Sequence, residues 1–200
     1  PPPFIGIKQC LRVTVIYFTE FYKESSPLSI EKQQELFEQL TKSNVKISQE
    51  EYKHLLEGMD PRFVRSLTKD RLVLAFEVLL RARQQDPCQY EVRFNEDWEK
   101  KKETPSLQIV LAWKNVPKYD FLHRLAKVVR RHGLAIKRMA ATYINPYSKQ
   151  SILVMSLGLH GIKGKAAWKE ADIEDFLQEL VTVKYFPGQE IIETTFVDSG

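Results

Sequence analysis

The sequence predicts an α+β protein in which a mainly helical segment precedes an antiparallel sheet. Three observations lead to this prediction. Apolar residues recur at helical spacing in the first half of the chain, they alternate with polar residues at strand spacing in much of the second half, and two stretches of helical spacing interrupt those strands. We therefore divide the chain into an N-terminal strand with a helical segment, 1–88, and a sheet-forming domain, 89–200.

The composition is that of an ordinary globular chain. Its 200 residues are 43% hydrophobic and 28% charged, and eight Gly and ten Pro are too few for a disordered or collagen-like chain. The two cysteines, Cys10 and Cys88, do not suffice for a disulfide scaffold and indicate a reducing, cytoplasmic compartment. No apolar run approaches the roughly 20 residues of a membrane helix, so we expect no membrane partner. A chain that begins without Met suggests a fragment of a longer protein.

The first segment predicts one strand and three helices. The strand is expected at Leu11–Phe18, where β-branched and aromatic residues follow one another. Each helix has a polar N-cap residue followed by apolar residues that recur at helical spacing, and the second also has the spacing of a capping box. The three helices are expected at Ser29–Thr41, Ser48–Gly58 and Thr68–Asp86.

The second domain predicts alternating strands and helices. A short strand at Gln89–Phe94 precedes a polar linker, 95–104. Gly133 is placed to end a helix in the left-handed conformation, and Asp172 is placed to cap the next helix. The six elements after the linker are expected at Leu107–Trp113 (strand), Phe121–His132 (helix), Leu134–Ile144 (strand), Ile152–Leu157 (strand), Asp172 to the helix end at Pro187-Gly188 (helix) and Ile191–Val197 (strand). This βαββαβ order is that of the ferredoxin-like fold, a four-stranded antiparallel sheet with two helices on one face.

The sequence shows no pattern that carries catalysis. Its four histidines are scattered and have no neighbouring cysteine pair, so we expect no metal site. The stretch Gly158–Gly164 lacks the spacing of a phosphate-binding loop and is interpreted as a flexible connection from strand to helix. We therefore expect no catalytic residue, no metal and no cofactor in this segment.

A basic run between Leu122 and Met139 contains six full positive charges and no acid. We favour the interpretation that this run is the solvated side of an amphipathic helix. The alternative is a face that binds nucleic acid or another polyanion, with affinity that falls steeply as salt is added. The residues of that face are Arg124, Lys127, Arg130 and Arg131.

The stretch Trp113–Ile136 resembles the opening of an ACT domain. Such domains have a strand, a loop with Asp or Asn followed by Pro, a helix that starts on apolar residues, and a Gly before the second strand. The matching residues are Asn115, Pro117, Phe121, Leu122 and Gly133, whereas Lys118 and Tyr119 stand where the family usually has Gly. The resemblance covers roughly 105–200 and implies an ACT-type sandwich.

The whole chain is similar to the N-terminal, non-catalytic region of the large NAD-specific glutamate dehydrogenases. The stretches that carry this similarity are AWKNVPKYDFLHRLAKVVRRHGLAIKRMAATYINP, LGLHGIKG and VKYFPGQEIIETTFV. The similarity implies a regulatory and assembly module whose partners are its own downstream catalytic domain and further copies of the chain. NAD would bind only in the parent enzyme, and a small effector would bind at Asn115, Val116, Lys118 and Asp120. A small independent enzyme remains a rival interpretation.

Overall fold

The computed structural model describes residues 28–43, 45–85, 88–95, 98, 100–116, 121–145, 149–162 and 170–182. The helices in these ranges are α1 (Ile30–Lys42), α2 (Gln49–Glu57), α3 (Pro61–Ser66), α4 (Lys69–Gln84), α5 (Phe121–Arg131) and α6 (Glu170–Thr182). The strands are β1 (Cys88–Phe94), β2 (Ser106–Lys114), β3 (Leu134–Ile144) and β4 (Ile152–Gly161). The predicted strands at Leu11–Phe18 and Ile191–Val197 lie outside the described residues.

Side-chain caps define the first two helices as the sequence predicts. The hydroxyl of Ser29 accepts a hydrogen bond from the backbone N–H of Lys32, and the hydroxyl of Ser48 accepts one from Glu51. Each bond satisfies a backbone donor that the first turn of a helix leaves unpaired. The predicted starts of α1 and α2 are therefore confirmed.

The short helix α3 (Pro61–Ser66) is not predicted from the sequence. Asp60 caps this helix, since its carboxylate accepts a hydrogen bond from the N–H of Arg62 at 2.7 Å, and Pro61 is its first residue. An acidic N-cap followed by proline is a recognised helix start. That signal was present, but six residues are too few to show helical periodicity.

The four strands form one antiparallel sheet in the order β1-β2-β4-β3. β2 and β4 occupy the centre, and β3 and β4 form a hairpin. β1 lies beside β2, at the edge where the ferredoxin-like order has the last strand of the unit. The four-stranded antiparallel sheet is confirmed. The complete βαββαβ order stays a prediction, because its last strand lies outside the described residues.

Helices cover both faces of the sheet. The α5/α6 face buries Leu111 and Trp113 of β2 against α5 and α6. The opposite face, called the α1–α4 face below, buries Val110 and Ala112 against the first four helices. β2 is therefore buried on both sides from Ile109 to Trp113, which explains its continuous apolar run.

The end of β4 corrects the interpretation of Gly158–Gly164 as a flexible connection for residues 158–161, whereas 163 and 164 lie outside the described residues. β4 continues through Gly161, which pairs with Leu134 of β3 and donates its N–H to the carbonyl of Pro105 at 2.8 Å. A Cβ at position 161 would lie 2.6 Å from Pro105 Cγ, so this position requires Gly. The glycine here allows a close approach of two chain segments.

Three helix boundaries test the remaining capping predictions. Thr68 is the N-cap residue of α4, as predicted, but its side chain makes no capping hydrogen bond. Gly133, two residues after the end of α5, has a φ of 72°, so its predicted left-handed conformation is confirmed. α6 begins at Glu170, which places Asp172 inside the first turn and makes its prediction as the cap wrong. An acidic residue is favourable in a first turn as well as at a cap, because both positions face the positive end of the helix dipole.

Candidate functional site

The connection from β2 to α5 begins with Asn115, the first residue of the predicted effector site. Asn115 has a φ of 54°, a left-handed conformation that Asn adopts more readily than most residues do. Its backbone N–H donates to the carbonyl oxygen of Ser151 at 2.9 Å, and its side chain is exposed. The turn is therefore fixed to the start of β4 while the Asn115 amide faces solvent.

Asn145 has the corresponding position at the end of β3. Its φ is 52°, and its side chain is also exposed. Lys114 and Ile144 both pair with Ile152, so Asn115 and Asn145 leave the sheet at the same end, two strands apart. Two strand spacings correspond to about 10 Å. The sequence predicts a turn at Asn145, but only the strand register shows that the two turns are neighbours.

The other predicted effector residues differ in their surroundings. Val116 is 5% exposed and belongs to the core on the α5/α6 face, so any contact that it makes with an effector is through its backbone. Nearby, Trp113 and Phe121 pack edge to face with 5.1 Å between their ring centres, which fixes the position of α5 relative to β2. Lys118 and Asp120 lie outside the described residues.

The basic residues of α5 do not form a uniform charged face. Lys127 and Arg130 are exposed, and Arg124 is half-buried. Arg131 forms an ion pair with Glu179 of α6. Glu179 thus neutralises part of the positive charge of α5. The basic run alone does not predict this ion pair, because Glu179 lies 48 residues further along the chain.

His132 connects the end of α5 to α6. Its Nε2 lies 2.5 Å from Oε2 of Glu179, and its ring packs edge to face on Phe176 with 5.4 Å between ring centres. The sequence predicts a core or helix-terminus histidine, and the residue follows directly after Arg131, the last residue of α5. These contacts give His132 a structural role between two helices.

Tyr52 has a pKa far from the ordinary value of its side chain. Burial raises its pKa to about 12. The Tyr52 hydroxyl donates a hydrogen bond to the carbonyl oxygen of Gln33 at 2.9 Å and so connects α2 to α1. A phenol of this acidity stays neutral at physiological pH, and its contacts indicate a packing role.

No cluster of three or more His, Cys, Asp or Glu suited to holding a metal ion occurs in the described part of the chain. A surface depression on α2 is lined by residues of that helix and its cap alone, so it is open to solvent. None of the six described helices combines the length and apolar character that crossing a bilayer requires.

Comparisons with protein-family models, with curated proteins and with solved structures found no match to this chain.

Proposed function

We propose that this chain is a non-catalytic regulatory and assembly region of a large, cytoplasmic NAD-dependent glutamate dehydrogenase. In this proposal the connection from β2 to α5 binds a small effector, and NAD binds only in the catalytic domain of the parent enzyme. The partners are that downstream domain and further copies of the chain. The proposal rests on the resemblance of Trp113–Ile136 to ACT domains and on the geometry at Asn115.

The observation that carries the proposal is the fixed, exposed turn at Asn115. A left-handed residue at the end of a central strand turns the chain sharply, and the bond to Ser151 holds the turn in place. The exposed amide can donate and accept hydrogen bonds. Lys118 and Asp120 follow with opposite charges, which suits the carboxylate and ammonium groups of a free amino acid. We therefore propose an amino acid as the effector.

Regulation through this turn requires two docked states that differ in effector affinity. Such coupling typically amounts to about 1–3 kcal/mol. An effector that binds only the native chain also raises its thermal stability, by about 2.7 kcal/mol when its concentration is 100 times the Kd. A thermal-shift screen is thus a direct test of effector binding.

The experiment screens the purified chain against the free amino acids and compares two variants. Asn115→Gly retains access to the left-handed conformation but removes the amide, and we expect it to lose most of the ligand-induced shift. Asn145→Gly makes the same change about two strands away and serves as the matched control. The proposal is wrong if no amino acid stabilises the wild-type chain, or if the purified chain itself reduces NAD in the presence of glutamate.

A second candidate is a polyanion-binding module, which the exposure of Lys127 and Arg130 on α5 favours. Retention on heparin at low salt, with earlier elution of Lys127→Gln and Arg130→Gln, would support this candidate. The ion pair between Arg131 and Glu179 reduces the charge available to it, so we place it second.

A further inference from the structure

Among the residues that the structure describes, helices α1–α4 leave one end of the α1–α4 face uncovered. Val110 and Val154 are buried under the helices, at 4% and 0% exposure. Gln108, two residues along β2 and therefore on the same face, is exposed. The helical layer thus ends between Val110 and Gln108.

Four residues form a row across this uncovered end, called the open row below. Gln108 pairs with Arg93 of β1 on one side and with Gly158 of β4 on the other, and Gly158 pairs with Arg138 of β3. Directly paired residues point to the same side of a sheet. Arg93, Gln108 and Arg138 are exposed, and Gly158 is partly exposed. The row spans three strand spacings, or about 14 Å.

The open row is positively charged. Arg93 and Arg138 occupy its two ends, and neither forms an ion pair with another described residue. Glu91 is the one acid that the described strands place on this face, and its carboxylate is 2.7 Å from the guanidinium of Arg81. No acid of the four described strands therefore compensates the two arginines.

Gly158 keeps the middle of the open row free of a side chain. A Cβ built at this position would lie 3.7 Å from the nearest atom, Arg138 Cβ, which is an ordinary van der Waals contact. Packing thus does not require Gly158, unlike Gly161, where a Cβ would meet Pro105 at 2.6 Å. The glycine leaves a gap without a side chain in the row, between Gln108 of β2 and Arg138 of β3.

We propose that the open row binds a small anion that carries two or more phosphate groups. The planar guanidinium presents paired N–H donors that match phosphate oxygens, and an arginine at each end of the row can contact a different phosphate group. The Gln108 amide supplies a further donor between them. No Phe, Tyr or Trp of the described strands lies on this face, so the stacking surface that single-stranded nucleic acid uses is missing.

This site is separate from the proposed effector turn. Arg138 is six residues from Ile144 along β3, so the open row lies about 20 Å from the end of the sheet that carries Asn115. The inference goes beyond the proposed function, because phosphate binding at the row and amino-acid binding at the turn can each fail without the other.

The test is calorimetric titration of the purified chain with inorganic tripolyphosphate at low ionic strength. We expect Arg93→Gln and Arg138→Gln each to weaken binding by about tenfold, because each removes charged hydrogen bonds to the ligand. Lys42→Gln removes a positive charge from the exposed end of α1, outside both the open row and the basic residues of α5, and should bind as the wild type does. A parallel titration with a nucleoside triphosphate distinguishes two kinds of ligand. Equal affinity for the two compounds means that the site binds the phosphate groups alone, and tighter binding of the nucleoside triphosphate means that it binds a nucleotide.

A second pair of variants tests the gap without altering charge. Gly158→Val should fill the gap and weaken binding, whereas Gly158→Ala should have a smaller effect. Circular dichroism and the unfolding midpoint verify that both variants fold. The proposal is overturned if tripolyphosphate does not bind the wild type, if Lys42→Gln weakens binding as much as the row variants do, or if a single-stranded RNA binds the same arginines more tightly.

Discussion

At the scale of single residues, the two glycines of β4 differ in how much room each position has for a side chain. Both lie in a paired strand, but a side chain at Gly161 would meet a proline ring, and one at Gly158 would make only ordinary contacts. The sequence shows two glycines in one short stretch and does not distinguish them. Their roles differ because Pro105 packs closely against position 161, whereas the atoms near position 158 lie at ordinary contact distance.

We expect Gly161→Ala to lower the free energy of unfolding by about 1–3 kcal/mol, because the new methyl group must displace Pro105 or the strand. Gly158→Ala is the matched control. Alanine restricts the unfolded chain more than glycine does, so this variant should be neutral or stabilising by about 0.5–1 kcal/mol. Urea unfolding of the two variants measures the difference. Equal stability of both would contradict the close contact at Pro105.

Sequence reasoning predicted residues whose role depends on their immediate neighbours. Ser29, Ser48 and Gly133 were identified correctly, because a cap satisfies or ends the helix beside it. It did not place Arg93 beside Gln108 or connect Arg131 to Glu179, because those relations depend on strand register and helix packing. The sequence does not predict the open row either, because the row also depends on strand register.

At the scale of secondary-structure elements, the contact between α5 and α6 includes one acid that two basic groups share. Glu179 of α6 contacts both Arg131 and His132 at the end of α5. Burial lowers the pKa of His132 below its ordinary value, and the Arg131 guanidinium acts in the same direction, whereas Asp175 and Asp172 oppose them. The Glu179 carboxylate also favours protonation, but its charge is shared with Arg131, so we expect burial to dominate.

This lowered pKa predicts a pH dependence of stability. Above the ordinary histidine pKa of 6.5, His132 is neutral in both the native and the unfolded chain. As the pH falls below 6.5, the unfolded chain binds the proton more readily, so the free energy of unfolding decreases until the pH passes the lowered native pKa. Urea unfolding at about pH 7.5 and about pH 5.5 measures this loss.

His132→Gln isolates the effect, because glutamine retains a hydrogen-bond donor but does not titrate. The decrease in unfolding free energy between the two pH values should be smaller in this variant than in the wild type. If the two proteins lose the same stability, another group is responsible and the lowered pKa of His132 is wrong.

The bounds of the helices and strands show which elements the apolar periodicity of the sequence predicts and which it does not. The long helices α1, α2 and α4 and the strands β2 and β3 lie within a few residues of their predicted positions. The six-residue α3 was missed because it completes fewer than two turns. β4 was predicted too short, because glycine is disfavoured in strands and the sequence does not show the neighbouring segment that requires it.

At the scale of the whole molecule, the sheet is shared between two layers of helices. The backbone N–H of Asp60, at the start of α3, donates to the hydroxyl of Thr142 on β3 at 2.8 Å, and Thr142 is 4% exposed. Arg81 of α4 pairs with Glu91 of β1. Polar contacts and an apolar core thus both connect the first four helices to the sheet.

We therefore expect the helical layer and the sheet to unfold together. Leu79→Ala on α4 removes a side chain that is 0% exposed, and it should lower the free energy of unfolding by about 2–5 kcal/mol. Native-state hydrogen exchange should show faster global opening of amides in β2 and β4, although neither strand is altered. Gln84→Ala, at an exposed position of the same helix, is the control. Unchanged exchange in the strands would support two independently folding units, as the division at 88 predicts.

The double burial of β2 also sets a limit on how the chain can be shortened. A polypeptide that starts at residue 89 would keep the strands but lose the helices that shield Val110, Ala112 and Val154 from water. Apolar patches of this kind promote self-association. Proteolytic removal of the first four helices should for this reason release material that aggregates, so solubility gives a simple readout of whether the layer has detached.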